Sequence, residues 1–76
     1  MRVILFSGTT EGRRLSRALA ALGGAVTVCV ATEYGREEQG EAPGITVLSG
    51  RMDETQMART VAGADLCVDA THPYAL

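Results

Sequence analysis

Hydrophobic positions along the chain switch between two periods, and the switches mark its elements. Residues 2–6 form a short apolar run that closes on Ser7 and Gly8, as a strand buried on both faces does. From Glu11 the period becomes helical, with Leu15, Ala18, Leu19 and Leu22 on the predicted inner face and Arg13, Arg14 and Arg17 on the outer one. Gly23 and Gly24 supply the left-handed position at which such a helix ends. Residues 25–31 are β-rich and almost continuously apolar, the pattern of a central parallel strand, and residues 45–48 repeat it in shorter form. Asp53 is a good N-cap, Gln56 is spaced to complete a capping box, and Gly63 closes this second helix. Residues 64–69 read as a fourth strand.

Strand, helix, strand, crossover, strand, helix, strand opens a doubly wound α/β fold of Rossmann-like type. Right-handed crossovers then predict a parallel sheet in the order 3-2-1-4. Gly35, Gly40, Pro43 and Gly44 punctuate the crossover at residues 32–44, which predicts a loop with about one helical turn near the ligand site. No helical pattern follows strand four in residues 70–76. A parallel sheet so ended leaves apolar surface bare, so residues 1–76 are expected to be an incomplete N-terminal domain of a longer protein.

Composition narrows the class. The 76 residues are 46% hydrophobic and 21% charged, which suits a globular chain and not a disordered one. Seven basic residues, all arginine, against nine acidic ones leave a net charge of −2 and give no support for nucleic-acid binding. The apolar runs are too short to span a membrane, and Glu11 with three arginines follows too soon for a signal peptide. A cytoplasmic, reduced setting is expected, and the oligomeric state is left open. Cys29 and Cys67 fall in strands two and four with strand one between them, roughly 9–10 Å apart and beyond disulfide reach. Both are expected to be buried thiols, Met52 and Met57 to fill core, and no spacing suggests a metal site.

The candidate chemistry lies at the carboxyl ends of the strands. Ser7, Gly8, Thr9, Thr10, Glu11 and Gly12 join strand one to the first helix, where backbone N–H groups and the helix dipole favour a phosphate. Gly8 permits close backbone approach, Thr9 and Thr10 offer hydroxyls, and Gly12 lets the helix approach the sheet. The turn is neither a full G-x-G-x-x-G nor a P-loop, and the Glu11 carboxylate competes with an anion. A tight glycine turn with threonine caps is the plainer alternative. After strand two, Glu33 stands slightly late for the acid that binds the ribose of NAD. Arg36 or Arg51 could instead pair with the 2′-phosphate of NADP, or both could be solvated surface arginines. At the end of strand four, His72 could donate a proton and Asp69 orient it, with Pro73 stiffening the loop. Against this, His72 could be structural, and Asp65 and Asp69 could cap strand ends. Tyr34 and Tyr74 could stack on a flat ligand or pack half-buried.

Four segments in register carry a resemblance. They are Ser7 to Gly12 as quoted, then Ala31-Thr32-Glu33-Tyr34-Gly35, Gly50-Arg51, and Asp69-Ala70-Thr71-His72-Pro73-Tyr74-Ala75. Together they resemble the N-terminal portion of the precorrin-6A reductase family of cobalamin biosynthesis, its cobalt-precorrin-6A branch included. The resemblance covers essentially the whole chain. It implies an NADPH-dependent reductase about three times as long, with two Rossmann-like halves around the active site. Such an enzyme transfers hydride to one double bond of the precorrin-6A macrocycle, a tetrapyrrole, to give precorrin-6B. By resemblance, Gly8, Thr9, Thr10 and Gly12 belong to the cofactor loop, and Thr32, Glu33, Tyr34 and Gly35 to the loop after strand two. Arg51 belongs to a Gly-Arg pair, and Thr71, His72, Pro73 and Tyr74 to the motif facing the cleft. With the residue reading above, which adds Arg36, cofactor contacts are expected from Gly8, Thr9, Thr10, Gly12, Thr32, Arg36, Arg51 and Thr71. Substrate contacts are expected from Tyr34, His72 and Tyr74, and proton donation from His72. The family loop usually begins Gly-Gly, so Ser7 is a departure, and the absent second half would remove most of the substrate site. A non-catalytic dinucleotide-binding or sensing module is the competing expectation.

Overall fold

The structure, a computed structural model, describes residues 1–8 and 10–70. Its elements are β1 (Arg2–Ser7), α1 (Thr10–Ala21), β2 (Ala25–Val30), α2 (Glu33–Gln39), β3 (Ile45–Ser49), α3 (Glu54–Val61) and β4 (Leu66–Ala70). The strands form one sheet in the order β3-β2-β1-β4, with parallel pairing throughout. This is the predicted α/β, Rossmann-like sheet. Strand order reverses between β1 and β4, and there Ser7 pairs with Ala70.

Register sorts the strand residues between the two faces, because parallel partners point the same way. Val3, Leu5, Val26, Val28 and Val30 are buried together on one face, with Leu19 and Ala20 of α1 packed against them. The other face carries Ile4, Phe6 and Cys29, the first and last buried and Phe6 half-buried. The cover on that side is thin, since no residue of α3 is buried.

Local signals hold the helix ends as expected. Gly23 takes φ +93°, its N–H donates to the Ala20 carbonyl, and the Gly24 N–H donates to the Leu19 carbonyl. That pair of bonds is a Schellman C-cap. At α3 the Asp53 carboxylate accepts from the Gln56 N–H at 2.8 Å, and the Gln56 side chain accepts from the Asp53 N–H at 3.0 Å. The Asp65 carboxylate accepts the Arg2 N–H at 2.7 Å, so this acid ties the start of β1 to the chain entering β4.

Several expectations are corrected. The crossover after β2 is not a loop with one turn: Thr32 caps a seven-residue helix through the Gly35 N–H, and Gly40 ends it at φ +67°. Helix α1 is rolled from the predicted orientation. Its buried residues are Gly12 and Ser16, whereas Leu15 sits at the margin and Leu22 is 85% exposed. Small residues win the inner stripe because the helix lies close against β1, and an alanine at Gly12 would overlap the Ser7 hydroxyl. The Ser16 hydroxyl is satisfied there, accepting from Gln39 Nε2 at 2.8 Å and donating to the Arg13 carbonyl at 2.7 Å. Met57 and Cys67 are exposed rather than core, the latter on the edge strand β4.

Candidate functional site

Two strand-to-helix turns at the carboxyl edge enclose a groove of about 380 Å³, lined by Ser7, Gly8, Thr10 and Arg13 from one and by Thr32, Tyr34 and Glu38 among the other's residues. The floor is Val30 and Ala31 at the end of β2. The turns come together because β1 and β2 are adjacent and in register from Arg2 with Ala25 to Phe6 with Cys29. Both helices therefore begin on the same edge of the sheet. At the start of α1 the backbone N–H groups precede any intrahelical acceptor and carry the positive end of the helix dipole.

This groove gathers Gly8, Thr10, Thr32 and Tyr34 from the residues expected to bind ligand. Gly12 lies beneath it, holding α1 against Ser7. Arg36 and Arg51 do not line it. Arg36 faces the opposite side of α2, in a shallow hollow with Glu33, Glu37 and Glu41 beside β3. Arg51 edges a small, mostly apolar cavity with Phe6, Cys29, Met52 and Met57, which shares Ser7, Val30 and Ala31 with the groove and so adjoins it. Thr9, Thr71, His72, Pro73 and Tyr74 lie outside the described residues. Asp69 pairs with Phe6 across β4 and β1 and is exposed.

The acids have settled partners. Glu33 accepts from the Ser49 hydroxyl at 2.9 Å, which fastens α2 to the end of β3 and turns this carboxylate from the groove. Tyr34 is 71% exposed instead of half-buried. Hydrogen bonding toward Glu38, one turn on, and that carboxylate's charge raise its pKa. Burial raises the thiol of Cys29, with a smaller contribution from Cys67.

Arg13, the residue that sequence reasoning placed outside the site, lines the groove. The leucine-weighted reading of α1 put its side chain on a solvated face. Taking the small residues Gly12, Ser16 and Ala20 as the inner stripe would have brought Arg13 to the groove.

The donor set suits a phosphorylated nucleotide. Ser7, Thr10 and Thr32 offer hydroxyls, the start of α1 offers the N–H groups of Thr10 and Glu11, and Arg13 offers a guanidinium in a hollow of ligand-binding size. Thr32 Oγ1 accepts from Gly35 at 2.9 Å, which leaves its proton for a ligand oxygen. Among the described residues, no group of three or more His, Cys, Asp or Glu side chains could hold a metal ion. No described helix is long and apolar enough to cross a membrane.

Comparison with known proteins gives the following. Residues 2–76 match the family described as precorrin-6x reductase CbiJ/CobK. The chain is 31% identical over 78 aligned residues to a cobalt-precorrin-6A reductase from Methanothermobacter thermautotrophicus. That alignment takes in 99% of this chain and 26% of the relative, so the chain spans about a quarter of the relative's length. No solved structure gives a significant match.

Proposed function

We propose, on the premise that the chain belongs to the precorrin-6x reductase family, that it is the nucleotide-binding portion of a cytoplasmic, NADPH-dependent reductase of cobalamin biosynthesis. The substrate is the tetrapyrrole precorrin-6A or its cobalt form, and the product is the corresponding precorrin-6B. The observation that carries the reading is the groove between the first two strand-to-helix turns, which brings Gly8, Thr10 and Thr32 together.

When bound, NADPH supplies the hydride for one carbon–carbon double bond. The chain's residues bind and orient. Gly8 lets the backbone approach the pyrophosphate, and the Thr10 hydroxyl with the N–H groups of Thr10 and Glu11 holds its oxygens. Gly12 keeps α1 close to β1, so these donors stay fixed against the sheet. Thr32 contacts the adenosine ribose from the start of α2. Thr9 and Thr71 are assigned to the cofactor by resemblance.

The reacting end of the site falls where strand order reverses, beyond Ser7 and Ala70. His72, Tyr34 and Tyr74 are assigned to the substrate by resemblance. Reduction also consumes a proton, for which His72 or solvent is the source. The full-length protein, given NADPH and either form of precorrin-6A, should oxidise the nicotinamide and add one hydride and one proton to the macrocycle. Absence of turnover with both forms would refute the reading. Turnover unchanged by His72→Ala would assign the proton to solvent.

A further inference from the structure

We propose that Arg13 is the residue by which this site distinguishes a 2′-phosphorylated adenosine from an unphosphorylated one. The inference rests on the nucleotide-binding reading above and names the ligand group that Arg13 takes. Its basis is the distribution of arginines among the hollows at the carboxyl edge. Arg36 lies on the far side of α2, among three glutamates. Arg51 edges the adjoining hollow, which shares Ser7, Val30 and Ala31 with the groove but is mostly apolar, with Phe6, Cys29 and two methionines in its lining. Among the described residues, Arg13 is the cation that lines the groove itself, together with Gly8 and Thr10 of one turn and Thr32 of the other.

The surrounding acids support the same assignment. A site that prefers an unphosphorylated ribose uses an acid at the end of β2 to bind the 2′-hydroxyl. Here Glu33 is held by Ser49 and lines a different hollow, so it does not fill that post. Glu38 does line the groove, but it stands inside α2, one turn beyond Tyr34, and not at the end of β2. Among the described residues, no acid forms an ion pair with Arg13. Its exposed guanidinium can therefore present two parallel N–H donors to a phosphate dianion without first breaking a salt bridge. A 2′-hydroxyl offers no comparable charge.

The test is the dissociation constants of NADPH and NADH, measured by calorimetry on the full-length protein and on Arg13→Gln, Arg13→Lys, Arg36→Gln and Arg51→Gln. Arg13 is exposed, so its replacement should leave the thermal melt in place. Loss of charge-assisted hydrogen bonds should weaken NADPH roughly 10- to 100-fold in Arg13→Gln and leave NADH unchanged. Arg13→Lys should fall between, since it keeps the charge and loses the fork. Arg36→Gln and Arg51→Gln should retain the wild-type preference. An unchanged NADPH-to-NADH ratio in Arg13→Gln would overturn the assignment while leaving the nucleotide-binding reading intact. So would loss of the ratio in the Arg36 or Arg51 variant. Failure of the wild-type protein to bind either nucleotide would overturn both.

Discussion

Replacing Gly12 by alanine probes the joint on which the groove depends. The added Cβ would overlap Ser7 Oγ, stand 2.9 Å from Ser7 Cβ and lie 3.5 Å from Ala70 Cβ. Ser7 is 5% exposed on β1, and its side chain is too short to swing clear. Overpacking of this kind costs about 1–3 kcal/mol, and contact with a short side chain on a fixed strand places it near the upper end. Alanine regains up to about 1 kcal/mol of helix propensity. A net loss of about 2 kcal/mol is expected, or roughly 8–16 °C in Tm for a unit of this size. Chemical denaturation followed by circular dichroism measures the loss, and a double-mutant cycle with Ser7→Gly identifies its cause. With Ser7 removed the overlap disappears, so Gly12→Ala should become neutral or mildly stabilising in that background. A loss below about 0.5 kcal/mol with Ser7 present would refute the reasoning. So would an equal loss in both backgrounds.

Two further predictions concern buried groups. Ser16→Ala would leave the buried Gln39 amide without its acceptor, and should cost about 1–3 kcal/mol in a denaturant melt because α1 and α2 share that bond. Cys29, whose pKa is raised by burial, should resist alkylation until the protein unfolds. Because the folded state holds that proton more tightly, its contribution is whole below the unfolded thiol's pKa and is lost as pH rises through the folded one. Cys29→Ala should therefore flatten the fall in stability measured above about pH 8.5.

The strand order and the helix caps were legible because they rest on short-range rules. Gly23, Asp53 with Gln56, and the β-rich runs each act within a few residues of themselves. The roll of α1 was hidden because a hydrophobic wheel weighs leucines above Gly12 and Ser16. Close approach to β1 and a bond to Gln39, 23 residues on, decide which stripe faces inward. Helix α2 lacked an apolar stripe to reveal it, since its single buried residue is Gln39. The Thr32 cap and the Gly40 terminator define it instead, and the glycine at residue 35 obscured that pattern. For the site, motif position located the Gly8, Thr10 and Thr32 cluster. The placement of Arg13, Arg36 and Arg51 required knowing how α1 is rolled and that α2 is a helix with two different faces.

The central claim is that the groove between the first two strand-to-helix turns holds NADPH. Backbone chemical-shift mapping of the full-length protein during NADPH titration tests it directly. The largest changes are expected at Gly8, Thr10, Gly12, Arg13, Thr32 and Gly35, with little change beside Glu37 and Glu41. Changes centred on that outer hollow, or none within these two turns, would contradict it.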